Sequence, residues 1–243
     1  MENRAVVLLS GGLDSATVLA LCKRKGYRLH TLSFRYGQRH HAELLAAQAL
    51  ADVYQVERHV IVDIDLRLFG GSALTTETPI PKHRSPSEIG SGIPNTYVPA
   101  RNTIFLSYAL AYAEVLPASH IFLGINALDY SGYPDCRPAY LAAFQKLARL
   151  ATRAGVSGIP IRLHAPLLHK SKAQIIALGL RLRVDYSLTR SCYDLAPDGT
   201  SCGACDACLL RLAGFQKNGM TDPAPYNPSP YNTLPLQHSP NTF

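Results

Sequence analysis

The chain has 243 residues, 47% of them apolar and 17% charged, a balance that excludes a disordered, collagenous or coiled-coil protein and suits one domain with a small satellite. Its net charge of +7 comes from 24 Lys and Arg against 17 Asp and Glu, scattered rather than clustered, so a basic enzyme with an anionic substrate accounts for it as well as a nucleic-acid surface does. No apolar stretch reaches the ~20 residues of a bilayer span, and the start runs into a strand-like segment with no leader; the expectation is a cytoplasmic protein without a membrane partner.

In chain order, Arg4 to Ser10 reads as a strand buried on both faces, because its β-branched and apolar residues do not alternate with polar ones. Similar runs lie at Leu29 to Phe34, His59 to Ile64, His120 to Ile125 and Ile161 to Leu167. Helical periodicity separates them, as in Ala42 to Val53 and Asn102 to Leu116. The alternation predicts an α/β fold with a doubly wound parallel sheet over residues 1–185, whose ligands sit beyond the carboxyl ends of the strands. Residues 70–99 are rich in Pro, Gly, Ser and Thr without a period, and read as a long loop acting as a substrate lid. From 222 to 243 a Pro-rich tail without Lys or Arg is expected to be disordered.

Directly after the first strand comes Ser10-Gly11-Gly12-Leu13-Asp14-Ser15, then a helix-compatible run. A strand, a glycine-rich turn and a helix start leave backbone amides aimed outward, which is an anion site. The spacing is neither a Walker-A loop nor a dinucleotide fingerprint. The same residues would also serve as a tight turn with Asp14 or Ser15 as an ordinary cap.

Of six cysteines, four are clustered: Cys192, Cys202, Cys205 and Cys208, spaced C-x9-C-x2-C-x2-C. In a cytosolic chain this spacing points to one tetrahedral metal rather than disulfides, with zinc the best fit and an iron–sulfur cluster the alternative. A four-sulfur zinc site has no open position, so its role is to hold a segment at 186–221 in place. Cys22 reads as packing, and Cys136 is left open.

The SGGLDS turn resembles the pyrophosphate loop of the N-type ATP pyrophosphatases, the PP-loop superfamily. Further stretches narrow the resemblance: FRYGQRH at Phe34 to His40, GIPNTYVPARN at Gly92 to Asn102, GINALDYSGYPDCR at Gly124 to Arg137, and the CGACDACLLR ending. Together they resemble the 7-cyano-7-deazaguanine synthases of queuosine biosynthesis over about Arg4 to Phe215. The resemblance implies a ligase that uses ATP to convert 7-carboxy-7-deazaguanine and ammonia to the nitrile through adenylated acid and amide intermediates. It implies ATP as co-substrate, Mg²⁺, structural zinc and a homodimer, with no nucleic acid required; the sequence shows no glutaminase-like nucleophile, so free ammonium is the expected nitrogen donor.

The resemblance also implies residue roles. ATP would be held by Leu9, Ser10, Gly11, Gly12, Leu13, Asp14, Ser15, Tyr36, Gln38, Arg39 and His40, with Asp14 capping the helix or holding the metal. Lys172 would neutralise the α-phosphate. The substrate would meet Tyr97, Asn102, Asp129, Tyr130, Ser131, Asp135 and Arg137: Asp129 or Asp135 on the guanine-like edge, Arg137 or Arg101 on the carboxylate, Tyr97 or Tyr130 stacking on the ring. Turn and helix-start roles compete for each of these. The sequence departs from the common pattern at Ala165 and Gln174, where Thr and Glu are usual, which puts hydrogen bonds from those two positions in doubt. The competing functions are a PP-loop tRNA thiolase or lysidine-type ligase, and a zinc-knuckle nucleic-acid module.

Overall fold

A computed structural model describes residues 3–128 and 132–227. Five parallel strands form one sheet in the order β3-β2-β1-β4-β5: β1 Arg4–Leu8, β2 Arg28–Arg35, β3 Arg58–Asp63, β4 His120–Phe122 and β5 Arg162–His164. The helices are α1 Leu13–Arg24, α2 Ala42–Val53, α3 Pro86–Ile89, α4 Arg101–Val115, α5 Pro138–Ala151, α6 Arg153–Val156, α7 Lys172–Arg181 and α8 Asp206–Gln216. The doubly wound parallel sheet expected from the alternation is the observed architecture. β1, β3, β4 and β5 end sooner than their apolar runs, whose last residues carry on into loops, whereas β2 runs one residue past its run at each end; Leu9 and Leu123 still make one more ladder bond each, to Leu32 and His164.

Both faces of the sheet are covered. On one, Ala5, Val7 and Leu9 pack with Leu19 of α1, Leu50 of α2, Ile175 of α7 and Phe215 of α8. On the other, Val6, Leu32 and Ile121 pack with Leu106 of α4 and Phe144 of α5. Side chains of a strand point alternately to opposite faces, so one short apolar strand supplies both cores. Each fully buried aliphatic contributes roughly 1.5–3 kcal/mol relative to exposure. Strand order reverses between β1 and β4, and a cleft opens at their carboxyl ends.

Residues 70–99 are pinned rather than free. Ala73, Leu74, Ile80 and Val98 are buried, and Ser85 and Glu88 close a capping box on α3. The His83 amide donates to the Ala204 carbonyl at 2.8 Å, and Lys82 and Arg84 pair with Asp194 and Asp206, both at 2.8 Å. Apolar residues interspersed among the prolines and threonines give this segment a core of its own, so it forms a wall of the cleft through Leu74.

The start of the Pro-rich segment is also packed. Asp222 is buried against Arg211, Tyr226 donates to it at 2.6 Å, and residues 225–227 exchange backbone bonds with Ser201. The boundary expected at 222 therefore falls later, because a buried ion pair and a short bridge hold what composition alone reads as unable to fold. Residues 228–243 lie outside the described residues. Among the described residues no helix is long and apolar enough to cross a membrane.

Candidate active site

The turn between β1 and α1 is built by close approach. Gly11 sits at φ +80°, and a Cβ there would overlap the carbonyl oxygen of Glu43 on α2. Gly124, just past β4, lets α1 come close: a Cβ at that position would stand 3.0 Å from the Ser15 amide nitrogen. These two glycines let the first turn of α1 face the switch point. Serine hydroxyls close the turn on itself. Ser10 Oγ donates to Ser15 Oγ at 3.1 Å and accepts from the Gly12 amide at 3.3 Å, and Ser15 Oγ donates to the Gly12 carbonyl at 3.0 Å.

Lys172, the first residue of α7, reaches across the cleft to this turn. Its Nζ lies 2.8 Å from both carboxylate oxygens of Asp14, and the residue is 8% exposed. Ser171 caps α7, with the Gln174 side chain accepting from the Ser171 amide at 2.9 Å. The amide oxygen of Gln174 thus makes the reciprocal bond expected of a glutamate, and the departure at this position leaves the capping box intact.

The cleft of about 230 Å³ brings together most of the expected nucleotide residues: Leu9, Ser10, Gly12, Leu13, Asp14, Ser15, Tyr36, Gln38, Arg39 and His40 all line it, as do Lys172, Arg101 and Asn102. Several have local partners. Gln38 staples the turn after β2, accepting from the Tyr36 amide at 2.8 Å and donating to the Phe34 carbonyl at 3.1 Å. Arg39 spends its guanidinium on the carbonyls of Ala73, Thr76 and Thr78, so it fastens the 70–99 segment as well as lining the cleft. The Nδ1 atom of His40 is buried with no hydrogen-bond partner among the described residues, and burial lowers the pKa of its ring.

Arg101 and Asn102 both start α4 and face the cleft. The Arg101 guanidinium donates to Tyr36 Oη at 3.2 Å and sits 5.5 Å from the centre of that ring. Burial disfavours its charge, but Tyr36, Tyr133, Tyr193 and Asp135 around it more than compensate and hold it protonated. Ala100, which precedes the helix in a left-handed conformation, has no side chain to cap it. Asp135 supplies the cap from another element, accepting from the Asn102 amide at 3.0 Å. Its other oxygen, Oδ1, is buried with no partner among the described residues, and burial raises its pKa.

Asp135 is thus buried behind Asn102 and is not itself part of the cleft lining, and the other substrate residues separate from it as well. Tyr97 packs edge-on against Tyr133 and its hydroxyl accepts from the Ala100 amide, away from the cleft wall. Arg137 is exposed at the start of α5. Asp129, Tyr130 and Ser131 lie outside the described residues.

Glu43, Arg190, Ser191 and Arg211 also line the cleft and were not singled out by the sequence as nucleotide residues. Burial pushes the Glu43 carboxyl up to about 7, against the opposing charge of Arg101. The Cys136 thiol faces the same cleft, where burial raises it to about 12. Cys22 is buried in the α1 core and likewise raised to about 12.

The sulfurs of Cys192, Cys202, Cys205 and Cys208 lie within 4.8 Å of one another. Amides of Asp194 and Cys202 donate to Cys192 Sγ, both at 3.3 Å, and the Cys205 amide donates to Cys202 Sγ at 3.4 Å. Hydrogen bonds from Cys192, Cys205 and Cys208 hold Cys202 well below the usual thiol range. Four convergent soft donors with amides supporting their sulfurs fit a tetrahedral ion.

A parallel sheet whose glycine turn opens on a cationic cleft at the switch point defines an α/β protein of the doubly wound class. The family described as queuosine biosynthesis protein QueC matches residues 4–219, and the chain belongs to it. A 7-cyano-7-deazaguanine synthase of Kineococcus radiotolerans is 60% identical over 226 residues, 93% of this chain and 99% of that protein. One from Desulfatibacillum aliphaticivorans is 57% identical over 228 residues, 93% of this chain and 98% of that protein. Among solved structures, NMN synthetase from Francisella tularensis aligns with a TM-score of 0.47 at 18% identity, over 90% of this chain and 78% of that one.

Proposed function

We propose that this protein is a ligase that converts 7-carboxy-7-deazaguanine, ammonia and ATP to 7-cyano-7-deazaguanine. The observation that carries the reading is the convergence in one cleft of the Ser10 to Ser15 turn, Lys172 and Arg101, in a chain 60% identical to a protein of that name.

A carboxylate is a poor electrophile. Its attack on the α-phosphorus of ATP expels pyrophosphate and leaves an acyl-adenylate, whose carbonyl ammonia attacks, releasing AMP and forming the amide. A second adenylation, on the amide oxygen, lets that oxygen depart with AMP while the nitrogen loses its two remaining protons, giving the nitrile. The amides of the turn and the hydroxyls of Ser10 and Ser15 would hold the departing pyrophosphate. Lys172, aimed by Asp14, would meet the charge that builds on the α-phosphate. Mg²⁺ would arrive as the counter-ion of ATP, since both Asp14 oxygens are engaged by Lys172.

Arg101 would hold the substrate carboxylate against Tyr36, and the free Oδ1 of Asp135 would accept from the guanine-like edge, with Asn102 beside it. Zinc is the metal we assign to the four thiols, as a scaffold for 186–227 with no part in the chemistry. Ammonia would be taken free, because the two cysteines outside the cluster are buried, raised thiols unsuited to act as a glutaminase nucleophile. The same fact argues against a tRNA thiolase: Cys136, which faces the cleft, is held as a neutral thiol. Incubation with the carboxylate base, ammonium and ATP tests the assignment, with nitrile expected by mass spectrometry and none when ammonium is withheld.

A further inference from the structure

Arg190 and Ser191 lie against the glycine turn, on the segment that leads into Cys192. The Arg190 amide donates to the Gly11 carbonyl at 2.9 Å, and Ser191 Oγ accepts from the Leu13 amide at 3.3 Å, so this segment touches both ends of the turn. Seen from Gly12, a Cβ would stand 3.5 Å from the Arg190 carbonyl oxygen and 3.7 Å from Ser191 Oγ, ordinary contact distances across the mouth of the turn.

Behind the segment, Arg211 holds it in place. This side chain, one helical turn past Cys208 on α8 and 2% exposed, donates to Ser191 Oγ at 3.3 Å, Thr189 Oγ1 at 2.7 Å and the Tyr186 carbonyl at 2.9 Å. Its charge is met in full by a two-pronged pair with Asp222 at 2.6 and 2.9 Å. Arg190 has no such partner. No carboxylate among the described residues lies within ion-pair distance, and only one of its nitrogens is engaged, on the carbonyls of Ser187 and Thr189 at 2.7 and 3.0 Å.

A partly buried guanidinium without a counter-ion, beside a hydroxyl already bonded to a loop amide, is complementary to an anion seated on the turn. We propose that Arg190 and Ser191 form the second wall of the site for the terminal phosphates of the nucleotide, making the segment fixed by the four-cysteine cluster part of that site. The proposal rests on the ATP-dependent reading above. The free nitrogens of Arg190 would meet phosphate oxygens, and the Ser191 hydroxyl would turn to donate to them while Arg211 keeps it in place.

Titration calorimetry of the full-length, metal-loaded protein with pyrophosphate and with ATP tests it on Arg190→Gln, Arg190→Lys and Ser191→Ala. Loss of a charge-assisted bond predicts roughly tenfold or greater weakening of both ligands for Arg190→Gln, a smaller loss for Ser191→Ala, and recovery of most of the affinity in Arg190→Lys. KM for ATP should rise in step while KM for the carboxylate substrate, metal content and Tm stay at the wild-type values. Wild-type affinity in both Arg190→Gln and Ser191→Ala, or a loss matched by falls in metal content and Tm, would overturn the proposal. A wild-type protein that binds neither ligand would instead defeat the ATP-dependent reading itself.

Discussion

Lys172 and Asp14, 158 residues apart, meet at 2.8 Å across the floor of the cleft, with the lysine 8% exposed. Each compensates the other's buried charge and fixes its direction. The pair presents an ammonium at the rim of the glycine turn without adding net charge, and under the proposed function an arriving phosphate would draw on that ammonium at little reorganisation cost.

Lys172→Met should therefore lower kcat by roughly a hundredfold or more, the scale of one lost electrostatic donor, with a smaller change in KM for the carboxylate substrate. Steady-state assays of AMP release measure this directly. An unchanged kcat would remove Lys172 from the chemistry.

Glu43 gives stability a pH dependence of defined sign. Its ordinary value of 4.5 is raised to about 7 by burial in the folded protein. Between these values the unfolded chain has already lost the proton that the folded chain keeps. Unfolding then releases a proton, and this group's contribution to stability falls as pH rises through the window. Below pH 4.5 it has no effect, and above 7 the penalty is complete. Denaturant midpoints of Glu43→Gln and the wild type should diverge across that range, the variant lacking this part of the decline. Parallel curves would show that the carboxyl is not held protonated.

Metal removal should act on the cleft as well as on the C-terminal segment, because Arg211 follows Cys208 by one turn and props Ser191 against the turn. Elemental analysis should find one zinc per chain. Chelation under mild denaturation, or Cys205→Ser, should lower Tm and open the 186–227 segment to proteolysis. Iron with a visible absorption band would replace zinc by an iron–sulfur cluster.

What could be read from the sequence was what is written locally. Val6 and Val7 announce a doubly buried strand, Ser10 to Ser15 a glycine-rich turn into a helix, and the three tightly spaced cysteines with Cys192 a cluster of converging sulfurs. The Ala42–Val53 helix has the bounds its periodicity predicts. Contacts between distant segments were not legible: Ser191 on Leu13, Arg211 on Asp222, Asp135 capping a helix that Ala100 cannot. Arg39 resembles a nucleotide residue in its motif, yet its guanidinium bonds carbonyls some 34–39 positions away, a partner choice that only the packed 70–99 segment reveals. Composition misjudged residues 222–227 because one buried ion pair outweighs the two prolines there.

The most direct test of the central claim is the nucleotide balance of a purified sample given the carboxylate base, ammonium and ATP with no RNA present. Two AMP and two pyrophosphate per nitrile formed is the predicted result. ADP with orthophosphate, or turnover that appears only when RNA is added, would contradict it.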